Sequence, residues 1–79
     1  MSDKALIKQK IEMWQKKRVV LKKEYERIMQ LRGEAMQMGD LRENAAFQQA
    51  DEDASTYQVR IDEVDVILRK LEDEMKGVK

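Results

Sequence analysis

Residues 47–78 carry an apolar repeat that leaves few folds open to this chain. Apolar and aromatic residues recur there at alternating steps of three and four: Phe47, Ala50, Ala54, Tyr57, Ile61, Val64, Leu68, Leu71, Met75 and Val78. A 3.5-residue repeat sustained over more than four heptads is typical of a coiled-coil seam. As a helix, this segment would be about 48 Å long.

The first half of the chain carries the same repeat, interrupted by two arginines. Its seam positions are Ile7, Ile11, Trp14, Arg18, Leu21, Tyr25, Ile28, Arg32 and Ala35. Three further apolar residues, Met13, Val20 and Leu31, widen the stripe. The pattern predicts a second long helix that pairs with the first.

The ends of helix 1 follow from local signals. Ser2 and Asp3 both suit an N-cap, so the helix should begin at one of them. Gly39 suits the left-handed position after a helix, which predicts a helix over about residues 3–38.

The two seams fit each other when the chain folds back near Leu41. Facing residue numbers then total 82, as for Leu21 with Ile61 and Trp14 with Leu68. We therefore predict an all-α fold, an antiparallel two-helix coiled-coil hairpin with a short acidic tip. The single hairpin would occupy residues 1–79, with helix 1 at about 3–38, the tip at 39–41 and helix 2 at about 41–77.

Charge favours the same pairing. Residues 1–38 hold ten Lys/Arg and five Asp/Glu, and residues 39–79 hold six and eleven, so the halves carry +5 and −5. In the antiparallel register Arg18 falls beside Asp65 and Arg32 beside Asp51, and long arginine stems can lie on the seam and reach these acids. The charge difference is expected to help the hairpin close.

Composition excludes several classes of function. The chain has no Cys and no His, which removes disulfides, zinc sites, thiol nucleophiles and Ser-His-Asp arrangements. No apolar run exceeds three residues, so nothing resembles a membrane span or a secretory signal, and we expect a cytoplasmic protein. The net charge of zero does not favour a nucleic-acid binder, which is usually basic.

The segment between the helices, "GDLRENAAF", permits two interpretations. In the first, Asp40 is the N-cap of helix 2 and Glu43 the reach-back residue of a capping box, so both acids serve only the helix. On these features alone the capping interpretation is favoured.

In the second interpretation the acids serve another molecule. Asp40 and Glu43 would leave the same end of the rod, and Met36, Met38 and Leu41 beside them have no obvious partner in the hairpin. Two carboxylates match the preference of Mg²⁺ for oxygen ligands but do not complete a site, which points to a metal shared with a partner.

The run Gly39–Ala45 resembles the tip motif of the Gre transcript-cleavage factors, the GreA type in particular. That motif reads Gly-Asp-Leu-basic-Glu-Asn-Ala, and this chain has "GDLRENA" without a break. The downstream "QVRIDEV" and the heptads after it also resemble the second helix of that family, so the resemblance covers nearly the whole chain.

The resemblance implies a role at bacterial RNA polymerase. Gre factors insert an antiparallel coiled coil into the secondary channel, and the tip acids help to hold a second Mg²⁺ for hydrolysis of backtracked RNA. By this resemblance Asp40 and Glu43 would be the catalytic and metal-stabilising acids, acting in trans, and Asn44 would orient the tip or its water. The Mg²⁺ would be shared with the polymerase and not expected in the isolated chain, and the protein would be an accessory factor and not an enzyme.

The sequence departs from the family at several points. Ala46 stands where the family usually has an acid, and Phe47 where it usually has Tyr. Helix 1 lacks the family's usual Pro, and the C-terminal globular domain has no counterpart in the 79 residues. The chain would then be either an N-terminal domain by itself or a short relative.

A basic patch on helix 1 consists of Lys16, Lys17, Arg18, Lys22 and Lys23. We favour a solvated face paired with helix 2 acids. The alternative is a contact with the RNA 3′ segment or with an acidic polymerase surface.

Apolar residues beside the seam would also let two hairpins associate as a homodimer: Val19, Val66 and Ile67, with Met75 and Val78 near the end.

The sequence leaves three functions open. The first is a Gre-like cleavage factor. The second is a channel-binding regulator or inhibitor without cleavage activity, and the third a plain helical interaction module in which the tip acids only cap.

Overall fold

The computed structural model describes residues 3–78, which form two long α-helices joined by a short connection. Helix α1 spans Asp3–Met36 and α2 spans Ala45–Gly77, and no strand occurs between residues 3 and 78. Both segments lack Pro and are rich in Lys, Glu, Gln, Leu and Met, which favour helix. The helices pack against each other along their length, so the predicted all-α hairpin is confirmed.

The hairpin is a rod and not a compact globule. Its Cα atoms extend 58 × 15 × 12 Å, and the radius of gyration is 17.7 Å. A compact domain of this length would have a radius of gyration of about 12 Å. The connection between the helices therefore lies at one end of a long, thin body.

The core is the predicted seam. The buried residues are Ile7, Ile28, Ala35, Ala50, Ala54, Ile61, Val64, Leu68 and Leu71, and each of them is a seam position. All the remaining seam positions in the two helices are half-buried. Burial of this stripe is the main stabilising contribution, because a two-helix rod has no other apolar interior.

The two arginines on the seam of α1 have the partners that the register predicts. Arg18 Nε donates to Asp65 Oδ1 at 2.6 Å, and Arg32 Nε donates to Asp51 Oδ1 at 2.9 Å. The residue numbers of both pairs total 83, within one of the predicted 82. Both ion pairs lie on one flank of the rod and are consistent with the antiparallel register.

The ends of the helices differ from expectation near the connection. Helix α1 ends at Met36, two residues before the predicted end, and α2 begins at Ala45, four residues after the predicted start. The predicted tip of residues 39–41 is therefore too short. Gly39 has the expected positive φ, 131°, but it lies in the turn beyond the helix and not directly at its end.

At the other end of the rod, Asp3 is the first helical residue of α1. The alternative start at Ser2 lies outside the described residues. Within the part that the structure describes, neither helix is long and apolar enough to span a membrane.

Candidate functional site at the hairpin tip

The tip, defined here as residues 37–44, begins by completing the last turn of α1. The amide of Gln37 donates to the carbonyl of Glu34 at 3.2 Å, and that of Met38 donates to the carbonyl of Ala35 at 3.0 Å. Gly39 then takes its positive φ, a conformation that side-chain-bearing residues rarely adopt. This residue turns the chain away from the axis of α1.

Asp40 organises the second half of the tip. Its carboxylate Oδ1 accepts a hydrogen bond from the amide of Arg42 at 2.9 Å, and its carbonyl accepts from the amide of Glu43 at 3.2 Å. An aspartate that bonds the backbone two residues ahead forms an Asx turn. The Arg42 guanidinium lies 3.5 Å from the same oxygen, and its side chain is 90% exposed, so this ion pair adds little.

Asn44, and not Asp40, is the N-cap of α2. Its Oδ1 accepts a hydrogen bond from the amide of Phe47 at 3.0 Å, which satisfies a free donor of the first helical turn. The prediction that Asp40 caps the helix with Glu43 at the reach-back position is therefore wrong. The physical reason is the Asx turn, which already occupies one oxygen of the Asp40 carboxylate, four residues before the N-cap.

The amide of Asn44 also ties the two helices together. Its Nδ2 donates to the carbonyl of Ala35 at 2.6 Å, at the end of α1. A carboxamide can accept and donate at once, whereas a carboxylate can only accept. Asn44 therefore joins the end of one helix to the start of the other, beside the acidic turn.

Gln48 also stabilises the turn, a role that the sequence analysis did not identify. Its Nε2 donates to the carbonyl of Arg42 at 2.9 Å. A long carboxamide in the first turn of α2 was the available signal, because such a side chain can reach back to the carbonyls before the helix. With this bond the backbone of residues 40–43 is held at both ends.

Glu43 has an exposed side chain with no hydrogen bond or ion pair to the described residues. The structure places Asp40 and Glu43 in the same turn at one end of the rod. No group of three potential metal-ligating side chains occurs among residues 3–78. The donor set therefore fits a hard cation only if another molecule supplies further oxygen ligands.

The apolar residues of the tip are open to solvent. Met38 and Leu41 have exposed fractions of 74% and 37%, and Met36, the last residue of α1, has 47%. Much of their apolar surface stays unburied in the isolated hairpin, and it surrounds the acids with surface suited to contact with another molecule.

Arg32 and Phe47 pack together at the base of the tip. The guanidinium of Arg32 lies over the ring of Phe47, 4.9 Å from its centroid, while it also binds Asp51. Phe47 is half-buried, so its ring serves the packing of the helices. Ala46 is exposed and contributes no polar group where the Gre motif usually has an acid.

The basic patch is separate from the tip. Lys16 and Lys23 lie about 30 and 20 Å from the end of α1 at the standard helical rise. The prediction that the patch pairs with acids of α2 holds for Arg18, whose hydrogen bond and charge lower the pKa of the Asp65 carboxyl. The ammonium groups of Lys17 and Lys22 lie instead over aromatic rings of their own helix, those of Trp14 and Tyr25.

Comparison with known protein families gives a match over most of the chain. Residues 2–73 match the Gre family model described as transcription elongation factor, N-terminal. Comparisons with curated proteins and with solved structures gave no match. The matched region covers α1, the tip and α2 as far as residue 73, so nearly the whole hairpin supports the family.

Proposed function

Since the chain belongs to the family of Gre transcription elongation factors, through their N-terminal domain, we propose that its tip carries Asp40 and Glu43 into a bacterial RNA polymerase. Family membership makes the hairpin an accessory domain in transcription elongation. The finer proposal is that the rod enters the secondary channel and that the two acids support a Mg²⁺ shared with the polymerase. Backtracked RNA would then be hydrolysed by the polymerase itself.

The observation that carries the proposal is the position of the helix cap. Asn44 caps α2, so neither Asp40 nor Glu43 is needed to satisfy the helix. The carboxylate of Glu43 has no partner within residues 3–78, and Asp40 keeps one carboxylate oxygen without a hydrogen bond. The interpretation that these acids only cap therefore loses its structural basis.

Each residue of the tip would have a separate role in positioning the two acids. The Arg42 amide holds one oxygen of Asp40 and leaves the other directed to a ligand, while Glu43 provides a second carboxylate from the same turn. Asn44 and Gln48 hold the turn against both helices, which limits the entropy lost when the acids engage. In two-metal hydrolysis, the second Mg²⁺ supplies charge stabilisation and an activated water.

The shape of the hairpin suits delivery over a distance. The acids lie at one end of a rod 58 Å long, and the other end is far enough away to remain at a channel mouth. Exposed Met38 and Leu41 give the tip apolar surface for contact with channel walls.

The experiment measures RNA cleavage in a backtracked bacterial transcription complex. The test variant is Asp40→Asn/Glu43→Gln, which removes two charges and changes little else. The matched control is Glu72→Gln/Asp73→Asn, which removes the same charge from exposed positions near the other end of the rod. We expect Mg²⁺-dependent cleavage with wild type and control, and only the polymerase's own slow cleavage with the test variant. Equal stimulation by the test variant would overturn the proposed role of the acids.

A second candidate is a channel-binding regulator without cleavage activity. It is favoured by Ala46 and Phe47, which leave two tip acids and no tyrosine hydroxyl where the family motif usually has both an acid and Tyr. This candidate predicts no cleavage by the wild-type chain but inhibition of cleavage by an intact Gre factor. If the chain neither stimulates cleavage nor competes with the intact Gre factor, the third function remains, a helical interaction module.

We also propose that the exposed lysines of the basic patch contact RNA near its 3′ segment. Lys16 and Lys23 have exposed side chains on the helix that leads to the tip. Such contacts neutralise phosphates and weaken as salt increases. Lys16→Gln/Lys23→Gln should reduce the salt dependence of binding to the backtracked complex, and an unchanged dependence would contradict this contact.

A further inference from the structure

The two flanks of the rod, on either side of the seam, are built differently. One flank carries both ion pairs between the helices, Arg18 with Asp65 and Arg32 with Asp51. The opposite flank, called here the open flank, has grooves between the helices. One groove, of about 380 Å³, is lined by Trp14, Lys16, Lys17, Val20, Leu21 and Val64, and apolar surface dominates it. The ion-pair flank also has a groove, of about 530 Å³, which Arg18 and Asp65 help to line. The two flanks differ in that the open flank has no ion pair between the helices within the described residues.

A stripe of exposed apolar residues runs along the open flank of α1. Its members and their exposed fractions are Leu6 45%, Met13 45%, Val20 67%, Leu31 44% and Met38 74%. They follow each other at steps of seven, seven, eleven and seven, which places them in two neighbouring columns of the heptad repeat. A single exposed apolar residue needs no explanation, but five in register form a second seam without a partner in the hairpin.

The grooves of the open flank follow this stripe. Leu6 lines a groove at the end of the rod away from the tip, Val20 lines the central one, and Leu31 and Met38 line a third near the tip. The two longest dimensions of the rod, 58 and 15 Å in its Cα atoms, bound the area of any one face. That area is of the order that each partner buries in a stable protein interface, about 800 Å².

We propose that the open flank is a dimer interface, and that its occupant is a second copy of this chain running antiparallel to the first. Four of the five stripe residues face one another in this arrangement. When facing residue numbers total 44, Leu6 meets Met38 of the second copy, Met13 meets Leu31, and the exposed Lys10 meets the exposed Glu34. Each contact occurs twice, as a twofold interface requires.

The middle of the same register is polar and also compatible. Val20 lies opposite Glu24, and Lys17 lies opposite Arg27. Arg27 is already paired with Glu24 on its own helix, which offsets part of the repulsion between Arg27 and the facing Lys17. Glu24 then lies between Arg27 of its own chain and Lys17 of the second copy. The net charge of zero means that two copies do not repel each other at long range.

The register separates this dimer from other modes of association. The apolar residues Val19, Val59 and Val66 are also exposed, but they lie off the open flank. A dimer through those residues would leave Lys10 and Glu34 in solvent. The charge pair is therefore specific to the proposed arrangement, and neither side chain has an ion pair within the described residues.

The test is sedimentation velocity over micromolar to millimolar concentrations, first with wild type, Met13→Lys and the control Val59→Lys. We expect a concentration-dependent dimer for wild type and for the control, and a monomer for Met13→Lys. A wild-type monomer throughout, or equal weakening by the two lysine variants, would overturn the proposal. Circular dichroism at 222 nm checks that each variant remains helical.

A charge exchange tests the register. Lys10→Glu and Glu34→Lys should each weaken self-association about tenfold, because each places like charges opposite one another twice. An equimolar mixture of the two variants should restore dimerisation, since every facing pair in the mixed dimer again has opposite charges. A mixture that associates no better than the separate variants would overturn the proposed register.

Discussion

Replacement of Asn44 tests the architecture of the tip most directly. The side chain makes two hydrogen bonds, from the Phe47 amide to Oδ1 at 3.0 Å and from Nδ2 to the Ala35 carbonyl at 2.6 Å. Loss of an N-cap acceptor costs about 1 kcal/mol, and loss of a further hydrogen bond about the same. Asn44→Ala removes both and should lower the free energy of unfolding by about 2 kcal/mol.

Asn44→Asp separates the two bonds. A carboxylate still accepts from the Phe47 amide and favours the positive end of α2, so the cap is kept. It cannot donate to the Ala35 carbonyl and places a negative charge beside that oxygen. We therefore expect Asn44→Asp to cost about 1 kcal/mol, between wild type and Asn44→Ala.

Urea unfolding followed by circular dichroism at 222 nm measures these differences. A low, constant protein concentration keeps any self-association from entering the comparison. For a chain of this length each kcal/mol shifts Tm by about 4–8 °C, so thermal unfolding gives an independent reading. An Asn44→Asp variant as stable as wild type would refute the tie to α1, and a cost below about 0.5 kcal/mol for Asn44→Ala would refute both roles.

Three further predictions concern the turn, the seam and the ion pair. Gly39→Ala should cost about 1–2 kcal/mol in unfolding free energy, because φ is 131° although space is open around the residue, and an unchanged urea midpoint would contradict this. Ile61→Ala should lower the free energy of unfolding by about 3 kcal/mol, because Ile61 is 4% exposed on the seam. The control Val59→Ala, at a position 56% exposed, should lower it by less than about 0.5 kcal/mol. Equal costs would reject the seam as the core. Arg18 lowers the pKa of Asp65 below its ordinary value of 3.8. The free energy of unfolding that wild type gains over Arg18→Met should therefore be complete above that pH and should be lost as the pH falls through the lowered pKa. A difference in unfolding free energy that is independent of pH would contradict the ion pair.

The seam could be predicted from sequence because burial acts on many residues at once. Every buried residue is a predicted seam position, and one register satisfies both helices and both ion pairs. A shift of that register would expose several apolar residues together. The periodicity was therefore sufficient to predict how the helices pair, even with Arg18 and Arg32 in the stripe.

The conformation of the tip was harder to predict than the seam, because it depends on a few local hydrogen bonds. Asp40 and Asn44 are both good N-cap residues, four positions apart, and the sequence alone does not rank them. The choice depends on the Asx turn at Asp40 and on the bond from Asn44 to Ala35, a residue nine positions earlier. Propensity rules describe neither of these contacts, and so the start of α2 was placed too early.

The unequal burial of the two helices bears on what else the chain does. Six seam residues of α2 are buried but only three of α1, although α1 carries Trp14, Leu21 and Tyr25 on its seam. One facing helix can cover a stripe that is two heptad columns wide, and the stripe on α1 is wider because Met13 and Val20 extend it. The excess apolar surface on α1 therefore contributes little to the hairpin itself. Its regular spacing along one flank is what a further helix would require, while the acids that define the tip lie beyond the last residue of that stripe.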